Sequence, residues 1–285
     1  MYNDAGCPWG YSVNPSLRVL EWRYGAQLDW RLVVIGLTEH AQEYVDRGYT
    51  PLRSAEGYAR RFRRFGMPIA PEPRARVIGT GRACRAVVAA RLQSPGSEWD
   101  VFRALQFAWF TTTVLLDEDD GIAEALAGVP GIDLGAVIGS IDMPEVEEAY
   151  RRDHAEARNA AGSPAELQGK TATTDGPVRF TAPSVVFEHT GRRLVAGGWQ
   201  TIEAYDVLVA NLIPDGDRRG VPDDPLELLE HFPGGLTTQE VAHLLTRGND
   251  ASDRTDAEAA MLGLVARGAA VRTQVGDDAL WRSTS

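Results

Sequence analysis

Cysteine and lysine are scarce in this sequence, and long apolar runs are missing. The 285 residues contain two cysteines, and Lys170 is the only lysine. Two cysteines in so long a chain exclude a disulfide-stapled framework and favour a reducing compartment. No stretch approaches the ~20 apolar residues that span a bilayer, and no basic segment followed by an apolar stretch begins the chain. We therefore expect a cytoplasmic protein with no membrane partner.

A surplus of positive charge is also lacking. The formal net charge is −11, which makes nucleic acid and anionic membrane surfaces poor partners. The five histidines show no metal-ligand spacing. We expect no metal, no nucleic-acid partner and no tightly bound cofactor.

One short motif near the N-terminus carries the chemistry. In "DAGCPWGYS", Cys7 directly precedes a predicted helix whose first turn holds Pro8, a favoured early-helix residue. Free backbone amides at a helix start stabilise a thiolate and lower the pKa of such cysteines to ~3.5–7.5. The alternative is a buried, inert cysteine near a chain end. From Cys7 alone, both interpretations stay open.

The segments around this motif predict an α/β opening. After a stub of strand over 1–4, the apolar spacing of residues 13–24 predicts one helix that Pro15 should kink and Gly25 should end. The run "LDWRLVVIGL", Leu28 to Leu37, predicts a buried central strand. Strand, helix and strand in this order are typical of α/β proteins.

Helical periodicity dominates from about His40 to Ala161. It includes an apolar helix face that holds Cys84, which we assign to the core, and a long helix from Trp99 to Leu116. A loop follows over 169–176.

Strand signals return after this loop. Ser184 to Phe187 and Arg193 to Ala196 are predicted to pair as a hairpin. The run "TIEAYDVLVANL" then predicts a helix with its apolar side inward.

The C-terminal segment has its own pattern. Residues 214–225 form a turn-rich linker, and residues 226–285 form a separate unit. Two capping boxes, at Thr237 with Glu240 and at Thr255 with Glu258, predict helix starts. A hairpin turning at Gly276-Asp277 should follow, so the unit resembles a winged helix.

This unit is too acidic to bind nucleic acid. Residues 223–285 hold 11 acidic and 5 basic side chains, whereas a phosphate-facing helix needs the opposite sign. We expect it to pack on the rest of the chain or to pair with another subunit, which would make a homodimer.

Four segments, in order, resemble the DsbA-like branch of the thioredoxin superfamily. "DAGCPWGYS" is similar to that family's Asp-x-x-Cys-Pro-Trp-Cys-Tyr motif. "DVFRALQFAWFTT" is similar to its "FRAYF" helix, "FTAPSVVFEHTGRRLVAGGWQ" to its cis-proline loop and hairpin, and "TIEAYDVLVANL" to its closing helix. The resemblance covers residues 1–213, with the middle matched only by helical character.

The resemblance implies an α/β thioredoxin-like fold with an all-helical insertion over about 40–161. It implies that Cys7 is the catalytic nucleophile and that Pro183 lies beside it in cis, with Ala182 offering backbone hydrogen bonds to a ligand. The resemblance implies that the remaining substrate-binding residues are Pro8, Trp9, Gly10 and Tyr11. Trp9 and Tyr11 are expected at the rim of the site.

Gly10 departs from the family pattern, because it stands where the second, resolving cysteine belongs. The expected function is therefore a thiol–disulfide oxidoreductase that works with one cysteine, through a mixed disulfide with a small thiol such as glutathione or mycothiol. Two alternatives stay open: a glutathione-dependent isomerase or transferase of the kappa type, and a non-catalytic binding module.

One basic segment with interleaved aromatics, "RRFRRF" over 60–65, could hold an anionic thiol such as glutathione or contact a partner. We favour a solvated helix face with Phe62 and Phe65 buried.

Overall fold

The N-terminal segment builds the start of an α/β unit. A computed structural model describes residues 1–285. Strand β1 (Tyr2–Asn3) pairs in parallel with β2 (Val33–Val34). Between them lie helices α1 (Pro8–Ser12) and α2 (Asn14–Tyr24). The strand–helix–strand order predicted from the sequence is therefore confirmed.

Two details of this opening were predicted wrongly. The expected single helix is divided at Val13, and Pro15 lies in the first turn of α2 rather than at a kink. The N–H groups in the first turn of a helix have no partner within the helix, so the N–H that Pro15 lacks removes no hydrogen bond there. Gly25 ends the helix with a positive φ of 51°, as predicted. The expected long strand is reduced to Val33–Val34, although residues 32–35 are fully buried.

The insertion that follows β2 is almost wholly helical. Its regular elements are α3 (Ala41–Asp46), α4 (Pro51–Gly57), a π-helical turn (Tyr58–Phe62), a 3-10 turn (Arg63–Phe65), α5 (Gly81–Gln93), α6 (Glu98–Thr111), α7 (Asp119–Leu126), α8 (Leu134–Ser140), α9 (Pro144–Ala157) and α10 (Pro164–Leu167). Cys84 lies in the core with no exposed surface, as predicted.

Helix α6 is shorter than its apolar run. The pattern predicted a helix to Leu116, but α6 ends at Thr111 and Thr112 is extended. The hydroxyl of Thr112 bonds back to the carbonyl of Ala108, and the Arg74 guanidinium donates to the carbonyls of Trp109 and Thr112. These groups satisfy the free carbonyls of the last turn.

The second half returns to the sheet. Strands β3 (Thr171–Ala172) and β4 (Arg179–Phe180) form a short pair inside and after the segment predicted as a loop. Strands β5 (Val185–His189) and β6 (Arg192–Ala196) form the predicted hairpin, followed by α11 (Ile202–Leu212). An isolated bridge between Tyr2 and Ser184 joins this half to β1.

No helix or strand lies between residues 212 and 226. The C-terminal unit then contains α12 (Leu226–His231), β7 (Leu236–Thr237), α13 (Thr238–Leu245), α14 (Arg254–Ala266), β8 (Ala270–Val275) and β9 (Asp278–Ser283). Its antiparallel sheet has the order β7-β9-β8, and β8 and β9 form the predicted hairpin.

One of the two predicted helix starts in this unit is correct. Thr237 and Glu240 form the expected capping box of α13. The second is wrong, because α14 begins before Thr255, where the carboxylate of Asp253 accepts hydrogen bonds from the backbone N–H groups of Thr255 and Asp256.

The C-terminal unit packs on the rest of the chain, one of the two arrangements that its acidity suggested. Val19 and Trp22 of α2 belong to the same buried apolar cluster as Leu229, Met261 and Trp281 of the unit. Arg103 of α6 forms a buried, two-pronged ion pair with Glu240 of α13, with both N–O distances 2.7 Å.

None of the helices is both long and apolar enough to cross a membrane.

Candidate active site

Cys7 lies at the start of α1, against the loop that precedes β5. It occupies the N-cap position of that helix. Its Sγ donates a hydrogen bond to the carbonyl of Ala182 at 3.3 Å, and the Ala182–Pro183 peptide bond is cis. The structure thus brings together residues that are 175 positions apart in the chain.

The thiol of Cys7 is buried, with 6% of the residue exposed. Burial raises the pKa of this thiol to about 12, and the charge of Asp4 adds to the rise. The backbone N–H groups of Gly10 and Trp9 and the charge of Arg179 act in the opposite direction but do not outweigh burial. The expected low-pKa thiolate is therefore wrong for Cys7 as the structure holds it, because desolvation disfavours the charged form.

Asp4 ties together the chain segments around the cysteine. Its carboxylate accepts hydrogen bonds from the backbone N–H groups of Gly6 and Leu37, at 2.9 and 2.8 Å. It also accepts one from the Thr80 hydroxyl at 3.0 Å and one from the Cys84 thiol at 3.5 Å. Burial raises the pKa of Asp4 despite these donors.

Position 10 has no space for a side chain. A Cβ atom built on Gly10 would lie 1.9 Å from Oδ1 of Asn3. Asn3 is fully buried and is held at both ends of its amide: Nδ2 donates to the Gly10 carbonyl at 3.3 Å, and Oδ1 accepts from the Asp4 backbone N–H at 2.9 Å. The helix start is therefore packed around a glycine.

The two aromatic residues of the motif have different environments. Trp9 is 39% exposed and packs with Phe62, Phe65 and Trp199, at ring-centroid distances of 5.1, 5.4 and 6.4 Å; we call these four residues the Trp9 cluster. Tyr11 is only 2% exposed, so the prediction that it lies at the rim is wrong. It stacks on Phe110 at 4.6 Å and donates its hydroxyl to the Pro68 carbonyl.

A cavity of about 550 Å³ lies beside Cys7. Gly6, Pro8 and Trp9, which flank Cys7 in the chain, form part of its wall, while Cys7 itself does not line the cavity. The remainder of the wall is rich in aromatic and basic residues from the segment that follows β2. The aromatic members, besides Trp9, are Tyr44, Tyr49, Tyr58, Phe62 and Trp109, and the basic members are Arg53, Arg60, Arg61, Arg74 and Arg76.

The cavity wall has a charge opposite to that of the whole chain. Its five arginines face two glutamates, Glu56 and Glu72, while the chain carries a net charge of −11. Arg76 is paired with Asp117 and Glu118. Arg60 and Arg61 are exposed and unpaired. Such a wall favours an anionic ligand over a neutral one.

Two tyrosine hydroxyls belong to the same wall. Tyr58 accepts a hydrogen bond from the indole N–H of Trp109 at 3.3 Å. Burial raises the pKa of both Tyr44 and Tyr58. Both hydroxyls therefore keep their protons at neutral pH and can donate hydrogen bonds to a ligand.

The structure groups the predicted site residues unevenly. Cys7 meets Ala182 at the cis bond before Pro183, and Pro8 and Trp9 line the cavity. Gly10 and Tyr11 are buried residues of α1 and do not line the cavity. Sequence analysis missed Tyr44, Tyr58 and Arg53, although "RRFRRF", which begins two residues after Tyr58, pointed to this segment. Phe62 of that segment is buried, as expected, whereas Phe65 is only partly buried.

Comparison with known proteins identifies relatives of the thioredoxin type. The sequence profile of the DSBA-like thioredoxin domain matches residues 1–176. No curated protein matches the sequence.

Among solved structures, a candidate protein disulfide isomerase from Nitrosomonas europaea aligns with a TM-score of 0.55 at 17% identity, covering 75% of this chain and 96% of its own. A candidate DsbA oxidoreductase from Streptomyces coelicolor aligns with a TM-score of 0.52 at 14% identity, covering 78% and 92%. The cytosolic disulfide reductase DsbM from Pseudomonas aeruginosa reaches 0.49 at 17% identity, covering 74% and 96%, a TM-score too low to establish a common fold. At these identities, the first two structures show the fold alone.

Proposed function

The chain belongs to the family of DSBA-like thioredoxin domains, and on this basis we propose that it is a thiol–disulfide oxidoreductase that uses Cys7 alone. The observation that carries the proposal is the contact of the Cys7 thiol with the Ala182 carbonyl, beside the cis bond to Pro183. The other cysteine, Cys84, is sealed in the core. The absence of space for a side chain at position 10 supports a site without a resolving cysteine.

The proposed chemistry is thiol–disulfide exchange in two balanced steps. The Cys7 thiolate attacks one sulfur of a disulfide RS–SR, a bond forms between Cys7 and that sulfur, and the released RS⁻ takes up a proton. A second thiolate R′S⁻ then attacks the sulfur of R, which releases Cys7 and leaves RS–SR′. Cys7 returns to its reduced form at the end of the cycle and the protein undergoes no net change in oxidation state, so no second cysteine is required.

The first step requires Cys7 to leave its resting state. In the closed conformation, the thiol is protonated and directed at the Ala182 carbonyl. Burial is the largest cause of its raised pKa. Movement of the cavity wall at Trp9 would admit the ligand and solvate the sulfur together, which would return its pKa toward the ordinary value.

The cavity supports a small thiol or its mixed disulfide as the substrate. Its volume of about 550 Å³ suits a small molecule, and Arg60 and Arg61 can pair with carboxylates. Glutathione and mycothiol are the co-substrates that we propose, with no tightly bound cofactor. We also infer that the protein works in the cytoplasm and that residues 226–285 form a winged-helix-like unit joined to residues 1–213 by a linker.

The burial of Cys7 favours a second candidate, a thioredoxin-like binding module with an unreactive thiol. The two functions differ in one experiment. Intact protein is incubated with glutathione disulfide, and the adduct is located by mass spectrometry. The oxidoreductase should acquire one glutathione at Cys7, lose it on addition of a free thiol, and acquire none as C7S, while C84S behaves like the parent.

Absence of any adduct in folded protein would contradict the oxidoreductase and leave the binding module. The kappa-type isomerase or transferase has a different signature, an activity that depends on added glutathione and survives C7S.

A further inference from the structure

The segment of residues 63–69 lies between the candidate active site and the C-terminal unit. On the side of the active site, the Tyr11 hydroxyl donates to the Pro68 carbonyl at 3.0 Å. On the other side, Asp277 lies in the turn between β8 and β9. Its carboxylate accepts from the Ile69 backbone N–H at 2.8 Å, and its own N–H donates to the Ile69 carbonyl at 3.2 Å.

Further contacts from the C-terminal unit hold the same segment. The Asp277 carboxylate pairs with Arg63 at 2.8 Å. The guanidinium of Arg254, the first residue of α14, donates to the Gly66 carbonyl and pairs with Asp278 at 3.2 Å. Gly276 approaches so closely that a Cβ there would lie 3.0 Å from the Ile69 backbone. The hairpin turn and the segment therefore fit backbone against backbone.

The segment also supports two aromatic residues of the Trp9 cluster. Phe62 directly precedes it, and Phe65 lies within it. Both rings pack on Trp9, which follows Cys7 by two residues and forms part of the cavity wall. A displacement of residues 63–69 would thus loosen the packing on Trp9, and Pro8 and Trp9 are the wall residues that directly follow Cys7 in the chain.

We propose that the C-terminal unit controls access to Cys7, with Asp277 and Arg254 as positioning residues that hold segment 63–69 and keep the Trp9 cluster closed. The unit itself is a fixed support, because the buried Arg103–Glu240 pair and a shared apolar core anchor it to α6 and α2. Asp277 and Arg254 lie at its edge and each makes hydrogen bonds with the backbone of the segment.

Thermodynamic reciprocity follows from this arrangement. A ligand that opens the Trp9 cluster should also loosen the Asp277 contacts, and loss of those contacts should favour opening. The C-terminal unit would then be coupled to the site without touching the ligand. Control of access to Cys7 is useful to the protein only if Cys7 is reactive, and to that extent the inference rests on the proposed function. Access to the thiol itself can be measured without any enzymatic activity.

The test is site-resolved alkylation of the two cysteines by iodoacetamide, with Cys84 as the internal monitor of global unfolding. The variants are D277A and R254Q. The matched control is R267Q, an arginine at the other end of α14 that pairs only with Asp224, outside segment 63–69. Loss of hydrogen bonds to a charged group should accelerate Cys7 labelling about tenfold, while Cys84 stays protected and R267Q matches the parent.

A positioning role has a second signature. Because an opened cluster solvates the sulfur, the pH profile of Cys7 labelling should move to lower pH in D277A and R254Q. Labelling rates and profiles equal to those of the parent in both variants would overturn the proposal. If D277A exposes both cysteines, it has unfolded, and R254Q decides between the same two outcomes.

Discussion

The side chain of Asn3 fills the space that a side chain at position 10 would need, with its Oδ1 1.9 Å from the Cβ that a residue other than glycine would carry. Restoring the missing cysteine of the family motif therefore requires Asn3 to move. Asn3 cannot do so freely, since both ends of its amide are hydrogen-bonded in a fully buried site.

The first prediction follows directly. G10C should be destabilised by ~1–3 kcal/mol, the usual cost of overpacking a core, as measured by denaturant unfolding. N3A alone should also destabilise, because the Asp4 N–H and the Gly10 carbonyl lose a partner.

The double variant N3A/G10C distinguishes this steric account from simple loss of glycine. The two effects should be less than additive, since N3A removes the side chain with which the new side chain of G10C clashes. Strict additivity would show that Asn3 does not restrict position 10.

The second prediction concerns the ionisation of Cys7. In a C84S background, the rate of alkylation by iodoacetamide should still be rising well above pH ~8.5, the value of a free thiol, because burial raises the pKa of Cys7 to about 12. The raised pKa of Cys7 also determines how this thiol affects stability. A group that holds its proton more tightly in the folded state stabilises the protein at low pH, and this contribution is lost as the pH rises through the raised pKa. An alkylation rate that reaches its plateau at a pH below the pKa of a free thiol would contradict the raised pKa of the buried Cys7.

The third prediction tests the charge of the cavity. R60Q/R61Q should react roughly 3- to 10-fold more slowly with a dianionic disulfide such as dithiobis-nitrobenzoate, since each exposed charge contributes at most ~1 kcal/mol. Its rate with neutral dithiodipyridine should match that of the parent.

The control for this experiment is R151Q/R152Q. It removes two adjacent exposed arginines from α9, outside the cavity, and changes the net charge by the same amount. Equal slowing in both double variants would mean that overall charge, not the cavity, attracts the anionic disulfide.

The fourth prediction concerns the ion pair that joins the C-terminal unit to α6. R103M should cost ~3–5 kcal/mol in the free energy of unfolding, because it leaves the buried Glu240 with only the more distant Arg18, at 3.8 Å, as a counter-charge. R103M/E240Q should recover part of this loss, since glutamine is neutral and can still cap α13. A double variant no more stable than R103M would show that Glu240 is not left as an unpaired charge.

The same pair has a defined pH dependence. Burial alone would raise the pKa of Glu240, but the charge and hydrogen bonds of Arg103 outweigh burial and hold this pKa below its usual 4.5. The pair therefore stabilises the protein above that pH, and its contribution is lost as the pH falls through the lowered pKa of Glu240. Comparison of the parent with R103M/E240Q across acid pH should isolate this loss.

Much of the fold could be predicted because its signals are local. The capping box at Thr237, the positive-φ end of α2 at Gly25, and the hairpin turn at Gly276-Asp277 each depend on residues only a few positions apart. The motif around Cys7 and the cis bond before Pro183 came from resemblance to the family. The errors fell where distant residues compete with local pattern, as at the end of α6, where Arg74 satisfies the last carbonyls.

The sequence by itself determined the kind of fold, the candidate nucleophile and the lack of a partner cysteine at position 10, because these depend on residue type and short-range order. Only the tertiary structure decided that the Cys7 thiol is buried and protonated, that Asn3 closes position 10, and that the C-terminal unit holds the segment beside Trp9. The physical reason is that desolvation, steric exclusion and contacts between remote segments depend on which surfaces meet after folding, and no local pattern in the chain encodes that meeting.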